Sequence, residues 1–470
     1  MDDFAKTIDE LATAMYWPWT VGVLLATGVF FTLRTGFVQV RRFPEAVRTM
    51  VATQQAGAGG ALTPFQAFMT AIAATIGTGN IAGVATAIVS GGPGALFWIW
   101  VYGFIAMAIK FTEASLGVHF RIAQGERTLA GPMYYLRDGV GSPALAWVFA
   151  LLAGIACLFT TPFTQPNSVA DAVASQMTAN SFDLGRWSIA GAPFEGNKLA
   201  IGIVLAVLTW LVVIGGVKSI GRAAEKLSPI KVSLYLIGGL IVIGTHLSQL
   251  PEVLRLVFTE AFSLRPVGGA MAGTVMAQAI SYGLRRGSYA NEAGYGTAAV
   301  AYGAAKSDRP EQQGLNAVTE VFIITYITST ISAMAILLTG VWRRNPGDAA
   351  TGAAVVAEAF NASMPTVGGW MLAVSVFLFG YTTLIGWGYY GEQYLTYLFG
   401  PRIVTPYRWI YCVLIPFGAI AKVDLVWAWG DILNGLQIFP NLIGLFLLSG
   451  LAASFAKRRR TADDGAGNLV

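Results

Sequence analysis

The sequence predicts an all-α polytopic membrane protein of about eleven transmembrane helices: a five-plus-five inverted repeat with two discontinuous helices, plus one extra N-terminal helix. Three observations lead there. Of 470 residues, 55% are hydrophobic and only 12% charged, too few charges to cover a soluble body of this size with polar surface. The apolar residues fall into successive runs long enough to cross a hydrocarbon layer. Two of those runs, around Gly77 and around Gly283, are interrupted by glycines and polar residues, and each opens one half of the chain.

The same composition narrows the chemistry. Two histidines (His119, His246) and two cysteines (Cys157, Cys412) leave little from which to build a zinc or haem site. Both cysteines lie in apolar runs, as buried thiols do, and imply no disulfide framework. The net charge of +5 reads as membrane topology rather than nucleic-acid affinity, because Lys and Arg gather at segment ends. The start, Met1 to Leu11, is acidic and amphipathic and lacks the basic region of a cleavable signal peptide.

Span one, about Trp17 to Phe37, has Trp17 and Trp19 as interfacial anchors and ends near Arg34, Arg41, Arg42 and Arg48, which places the amino terminus outside. Span two, Pro64 to Val89, contains Thr75-Ile76-Gly77-Thr78-Gly79-Asn80. Two glycines two apart, beside stiff threonines, are poor helix material, so the helix is expected to open here. The competing reading is a packing face, since Thr75, Gly79 and Gly83 are spaced by four. A Gly/Pro turn at Ser90 to Gly94 leads into span three, Ala95 to Val118. Span three carries Lys110 and Glu113 toward the cytoplasm, where one helical turn apart they read as a paired interfacial couple.

Span four, Pro143 to Ala174, holds a second polar weak point, Thr160 to Ser168. Pro162 and Pro166 remove two backbone donors there, while Gln165 and Asn167 add amides; a binding site and a hydroxyl-satisfied kink fit equally. Asn180 to Asn197 reads as an external loop. Spans five (Leu199 to Ile214) and six (Ile230 to Thr245) flank a cytoplasmic loop bearing Lys218, Arg222, Lys226 and Lys231. An external segment, Leu247 to Pro266, precedes span seven, which starts near Gly268 and meets the run Ala279 to Gly294, with its glycines, Arg285, Arg286, Asn291 and Glu292. Spans eight (Leu315 to Leu338), nine (Trp370 to Leu398), ten (Tyr407 to Ala421) and eleven (Leu425 to Phe455) follow. The basic tail Lys457 to Arg460 places the carboxyl terminus in the cytoplasm, as eleven spans and an outside start require, although Arg343 and Arg344 fall outside.

The whole chain, 1–470, is thus one transmembrane domain: an extra helix (17–37), a first repeat (64–247), a second repeat of opposite orientation (268–455) and a tail (456–470). Each repeat begins with a Gly-interrupted helix. Inverted-repeat secondary transporters have this pattern and bind substrate at mid-membrane between discontinuous helices, whose free amides and carbonyls suit a carboxylate and a cation. The second interruption therefore weighs toward a broken helix at Gly77 rather than a packing face.

Gly77 to Ile88 followed by Gly91-Gly92-Pro93-Gly94-Ala95, then Gly131-Pro132-Met133-Tyr134-Tyr135, Gln165 to Val169, Glu225-Lys226-Leu227, Asn291-Glu292-Ala293-Gly294, Ala304-Ala305-Lys306 and Thr382 to Trp387 closely resemble the sodium:alanine symporter family over nearly the whole chain. The resemblance implies a leucine-transporter-like core of ten helices. It also implies sodium-coupled import of alanine, glycine or a similar small neutral amino acid through a bacterial or archaeal cytoplasmic membrane. It puts Thr78, Gly79, Asn80, Gln165, Tyr282, Gly283 and Trp387 around the substrate. Thr382 and Thr383, with carbonyls near Thr75 and Ile76, become the candidates for sodium, a hard cation suited to hydroxyl and carbonyl oxygens; back-bonding to the preceding turn is the other use of such threonines.

Departures from the family pattern fall near this pocket. Ile324-Thr325 stands where the family usually has Asp-Thr, Thr161 and Pro162 where it has Gly and Asn, Pro166 where it has Ala, and Ala290 where it has Ser. Glu320, four residues before Ile324 on the same helix face, is a candidate gate or structural partner, the alternative being a solvated interfacial carboxylate. Other functions stay open at this stage: the same fold coupled to protons through Glu320 or Glu292, a membrane-embedded enzyme, or a substrate sensor. The enzyme reading finds no nucleophile-base pair in the sequence.

Overall fold

Long apolar runs form helices, and the chain is interrupted near Gly77 and near Gly294, in the computed structural model, which describes residues 2–51, 59–124, 127–179, 182–189, 192–265, 274–343 and 352–458. The predicted tail beyond Arg458, Arg344 and the start of span seven at Gly268 lie outside the described residues. The first apolar helix, α1 (Glu10–Arg34), continues an amphipathic segment that begins at Asp2, so it starts earlier than Trp17. Trp19 is exposed on it.

Span two is broken where the glycines predict. Its first half, α2a (Pro64–Thr75), opens at a reciprocal cap in which Thr63 Oγ1 accepts from Gln66 N and Gln66 Oε1 accepts from Thr63 N. The helix stops at Thr75, and a single tight turn at Thr78–Asn80 leads into α2b (Ala82–Gly91), bent by 61° from α2a. Then come α3 (Ala95–His119) and α4 (Pro143–Thr178). The latter is interrupted at Thr160, so Pro162 falls in the first turn of the resumed helix, where N–H groups lack partners in any case. The predicted external loop after α4 contains a hairpin, Arg186–Ile189 against Ala192–Glu195.

The expected cytoplasmic loop between spans five and six does not exist. Helix α5 (Gly196–Val213) and helix α6 (Gly216–Thr245) are separated only by Ile214 and Gly215. Lys218, Arg222 and Lys226, spaced by four, occupy one exposed face of α6, whereas Lys231 is wholly buried. The charges that read as a loop are the polar stripe of an amphipathic helix start.

Span seven breaks at the far end of the run Ala279 to Gly294. Helix α7a (Val275–Asn291) runs unbroken through Gly283 and Gly287, and the interruption comes at its end, Glu292 to Gly296, before α7b (Thr297–Gly303). The chain continues as α8 (Pro310–Thr339), α9 (Val367–Phe399), α10 (Val404–Ile420) and the bent pair α11a (Val423–Leu447) and α11b (Ser449–Lys457). Among the described residues eight helices are long and apolar enough to cross a membrane, ten if each bent pair is one span. The eleventh expected span is α7, whose α7a is only 17 residues long, carries Arg285 and Arg286, and ends before Glu292. Helices α3, α8 and α9 are the inner ones, 72% buried over their apolar windows against 33% for α6 and α10, and α3 lies against α7a, α7b and α8.

Candidate functional site

A broken helix leaves carbonyls at one end and amides at the other without partners, and within a membrane protein side chains must supply them. At the end of α2a, Thr75 O accepts from Gly77 N (2.9 Å) and from Asn80 Nδ2 (3.0 Å). Ile76 O and Ala73 O accept from Lys231 Nζ of α6 at 2.7 and 3.1 Å, and the same nitrogen donates to Thr382 Oγ1 of α9 at 2.6 Å. Thr383, the next residue, donates to Ala74 O at 2.8 Å. On the amide side, Thr78 N donates to Gln165 Oε1 of α4 at 3.0 Å.

The break in α7 is met by an anion. Glu292, Gly294 and Gly296 take left-handed conformations (φ +54°, +93° and +80°), which turn the amides of Gly294 and Gly296 toward Glu113 of α3. Glu113 Oε1 accepts from them at 2.9 and 3.1 Å and from Asn441 Nδ2 at 2.8 Å. Glu292 faces elsewhere, accepting from Trp387 Nε1 and Thr297 Oγ1, each at 2.8 Å.

Between the two breaks lies a small cavity of about 20 Å3. A water needs roughly 10–15 Å3 by this measure, so it has room for one or two groups of that size. The backbone of Gly77 and Gly79 and the side chains of Thr75, Gln165, Thr383 and Trp387 form much of the wall. A Cβ on Gly77 would meet Thr383 Oγ1 at 2.6 Å, and one on Gly79 would meet Tyr289 Cδ1 at 2.7 Å, so only bare backbone fits. Thr78 and Asn80 flank the cavity: Ser329 Oγ donates to Asn80 Oδ1 at 3.2 Å and Ser332 Oγ to Asn80 O at 2.6 Å, tying the turn to α8.

Tyr282 and Gly283 are not brought to this site. They lie two turns earlier on α7a, where Gly283 allows close packing on α3; a Cβ there would meet Ala95 O at 2.6 Å. The same segment contributes Tyr289, Glu292 and Tyr295 instead, and α4 and α11a add Thr160 and Asn434. Thr160 Oγ1 is buried without a hydrogen-bond partner among the described residues. Thr160 and Glu292 belong to stretches whose polarity stands out in the sequence, whereas nothing local marks Asn434 or Lys231.

Lys110 and Glu113 do not form an interfacial couple. Lys110 is 1% exposed and pairs with Glu320 at 3.2 Å, 210 residues away in sequence. Glu320 is fully buried rather than solvated, and also accepts from Thr75 Oγ1 (2.8 Å) and Tyr302 OH (2.9 Å), so it joins α2a, α3, α7b and α8. Ile324 is buried in a π-helical segment of α8, Ile323–Ser329, where the neighbouring Thr325 donates to Asn291 Oδ1 at 2.9 Å. Between α7a and α11a, Arg285 Nε donates to Asp431 Oδ2 at 2.8 Å, and Arg286 lies over the Trp427 ring.

Known proteins share this architecture and this sequence. The chain matches the profile of the sodium:alanine symporter family over residues 1–464. It is 38% identical to the sodium/alanine symporter AgcS of Methanococcus maripaludis, an alignment covering 97% of each chain. It is 31% identical to the amino-acid carrier protein AlsT of Bacillus subtilis (99% of this chain, 95% of that one) and 33% to the probable sodium/glutamine symporter GlnT of the same organism (96% and 89%). Its fold is similar to that of MhsT in complex with L-phenylalanine, with TM-score 0.56 and 14% identity over 85% of this chain and 99% of that one. A manganese transporter of Eremococcus coleocola shares the fold at TM-score 0.54, with 15% identity over 87% and 80% of the two chains. Transport rather than enzymatic chemistry is the business of these relatives, and the chain belongs to the sodium:alanine symporter family.

Proposed function

We propose that the chain imports a small neutral amino acid, alanine or glycine, together with sodium, by alternating access through the cytoplasmic membrane of a bacterium or archaeon, with the amino terminus outside and the carboxyl terminus in the cytoplasm. Family membership makes it an amino-acid symporter of the sodium:alanine type. The finer reading rests on the cavity. It is small, its wall is bare backbone at Gly77 and Gly79, and Trp387, Tyr289 and Tyr295 close it where a longer side chain would extend. A substrate carboxylate is matched by the amide end of the α2 break, its ammonium by the Glu292 carboxyl group and the unpartnered Thr160 hydroxyl. The substrate set is then the cavity-lining Thr160, Gly77, Gly79, Gln165, Glu292 and Trp387, together with Thr78 and Asn80 of the same turn, with Thr75 and Thr383 offering oxygens for sodium on the cavity side.

One co-transported charge at 100 mV supplies about 2.3 kcal/mol, roughly fifty-fold accumulation before any sodium gradient is added. Purified protein in liposomes, given an inward sodium gradient and a panel of labelled amino acids, is expected to accumulate alanine or glycine and to exclude phenylalanine and glutamine. Accumulation that persists when sodium is replaced by choline, and follows an imposed proton gradient instead, overturns the sodium assignment.

A further inference from the structure

We propose that the oxygen cradle at the end of α2a is a cation site filled by the protein's own Lys231, so that Ile76 and Thr382 hold a tethered ammonium and not a transported sodium. This rests on the sodium-coupled reading only for what a changed ion count would mean. Lys231 is wholly buried, and its Nζ has four oxygen neighbours: Ile72 O (3.3 Å), Ala73 O (3.1 Å), Ile76 O (2.7 Å) and Thr382 Oγ1 (2.6 Å). The three carbonyls only accept. Thr382 Oγ1 gives its own proton to Phe379 O at 3.2 Å, so toward Lys231 it accepts as well. Four acceptors and no donor describe an ammonium, because a neutral amine would have to turn its lone pair on one of them.

The charge is answered by dipoles. Among the described residues no carboxylate faces Lys231. The carbonyls at the negative end of α2a take that place, Ala73 O and Ile76 O free of backbone partners and Ile72 O shared with Ile76 N, and the Phe379 ring lies 5.3 Å from the nitrogen. Carbonyl and hydroxyl oxygens are also what a sodium ion takes, so the lysine and a sodium compete for the same atoms, and two positive charges sharing Ile76 O or Thr382 Oγ1 would repel strongly. The lysine is fixed there by its helix. Gln66 Nε2 donates to Glu225 Oε2 (3.0 Å) and Ser228 Oγ to Met69 O (3.1 Å), so residues 225, 228 and 231, three apart, lay one face of α6 along α2a and Lys231 is its last rung. Of the four residues expected to hold sodium, Ile76 and Thr382 are therefore engaged by Lys231, while Thr75 and Thr383 line the cavity, the Thr75 carbonyl already accepting from Gly77 N and Asn80 Nδ2.

The experiment is equilibrium binding of labelled sodium to the purified full chain in nanodiscs, for the parent, Lys231→Ala and Lys231→Met. Lys231→Ala is expected to bind one sodium per chain more than the parent, and methylammonium is expected to displace that extra ion. Lys231→Met, which fills the space without charge, is expected to gain none. An unchanged sodium count in folded Lys231→Ala overturns the proposal. Thr382→Val gives a reading that does not depend on replacing the lysine: it is expected to lower the melting temperature by stranding a Lys231 N–H, while half-saturating sodium stays within two-fold of the parent. A tenfold rise would show Thr382 binding sodium and overturn the proposal from that side. Should the parent bind no sodium and Lys231→Ala bind one, the tethered cation stands and the sodium-coupled reading falls.

Discussion

The two helix breaks solve one problem with opposite charges. At α2, the free carbonyls of Ala73 and Ile76 are met by the Lys231 ammonium; at α7, the free amides of Gly294 and Gly296 are met by the Glu113 carboxylate. Each ion sits at the helix end whose dipole favours it. Their backbones differ as well. The α2 break stays at negative φ, with Ile76 at −79° and Gly77 at −111°, whereas the α7 break needs three left-handed residues, one of them the non-glycine Glu292. The α2 break spends part of its free backbone on the cavity, since Gly77 and Gly79 line it; the α7 break contributes Glu292 and Tyr295 to the cavity while Glu113 occupies its turned amides. The first break thus presents backbone to a ligand, and the second presents side chains on a saturated turn.

The Glu320 cluster is where the two breaks meet, and its disruption has the largest expected effect. Glu320→Gln removes the carboxylate that the buried Lys110 ammonium pairs with directly, leaving only the more distant Glu292 and Glu113, while keeping the side-chain shape. Breaking a buried pair from one side costs about 3–5 kcal/mol, so a clear fall in the detergent melting temperature is expected, along with slowed uptake. Lys110→Met combined with Glu320→Gln removes both charges and is expected to recover most of the loss. A Glu320→Gln protein with the parent's melting temperature would mean that Glu320 does not tie the breaks together.

Next comes the backbone wall. Gly79→Leu places a side chain where even a Cβ lies 2.7 Å from Tyr289, and uptake is expected to fall by more than about a hundred-fold, worth about 2.7 kcal/mol. Normal uptake by that variant would return the α2 glycines to a packing role and erase the contrast between the breaks. At α7, Glu113→Gln keeps an acceptor for the two amides and loses the charge. A stability loss of about 2 kcal/mol, read by thermal melting, is expected with little change in substrate selectivity. A changed substrate preference in that variant would mean the second break also recognises ligand through its backbone.

Much of this was legible in the sequence because it is local. Apolar runs mark the helices, and Gly77 with Gly79 marks the α2 break to the residue. What stayed hidden depends on partners far along the chain. Spacing alone pairs Lys110 with Glu113 one turn away, yet its partner is Glu320; Lys231 reads as a loop charge, because nothing near it in sequence says that α2a ends beside it. The cavity's α2, α4 and α9 walls were anticipated through Gly79, Gln165, Thr383 and Trp387. Asn434 was not, since a lone asparagine in α11a carries no pattern.

The smallest predicted effect tests the placement of the second break itself. Gly283 and Gly287 are helix-weakening residues within the unusual run Ala279 to Gly294, since glycine in a helix interior costs roughly 0.5–1 kcal/mol. Packing overrides it. Gly283 lies against Ala95 and Trp98 and Gly287 against Tyr102, so both glycines let α7a approach α3 while the helix continues. The true break needs φ values that ordinary residues avoid, at Glu292, Gly294 and Gly296, and so falls three turns later than Tyr282. Tyr282 is half-buried and away from the cavity wall, whereas Tyr289 forms part of it and donates to Thr164 Oγ1 at 3.1 Å. Tyr282→Phe is therefore expected to leave the KM for alanine within two-fold, less than about 0.4 kcal/mol, while Tyr289→Phe, losing a buried hydrogen bond at the wall, is expected to raise it several-fold. If Tyr282→Phe instead shifts KM by ten-fold or more, the substrate reaches further along α7a than the cavity extends, and the two breaks no longer divide the work between backbone and side chain as described.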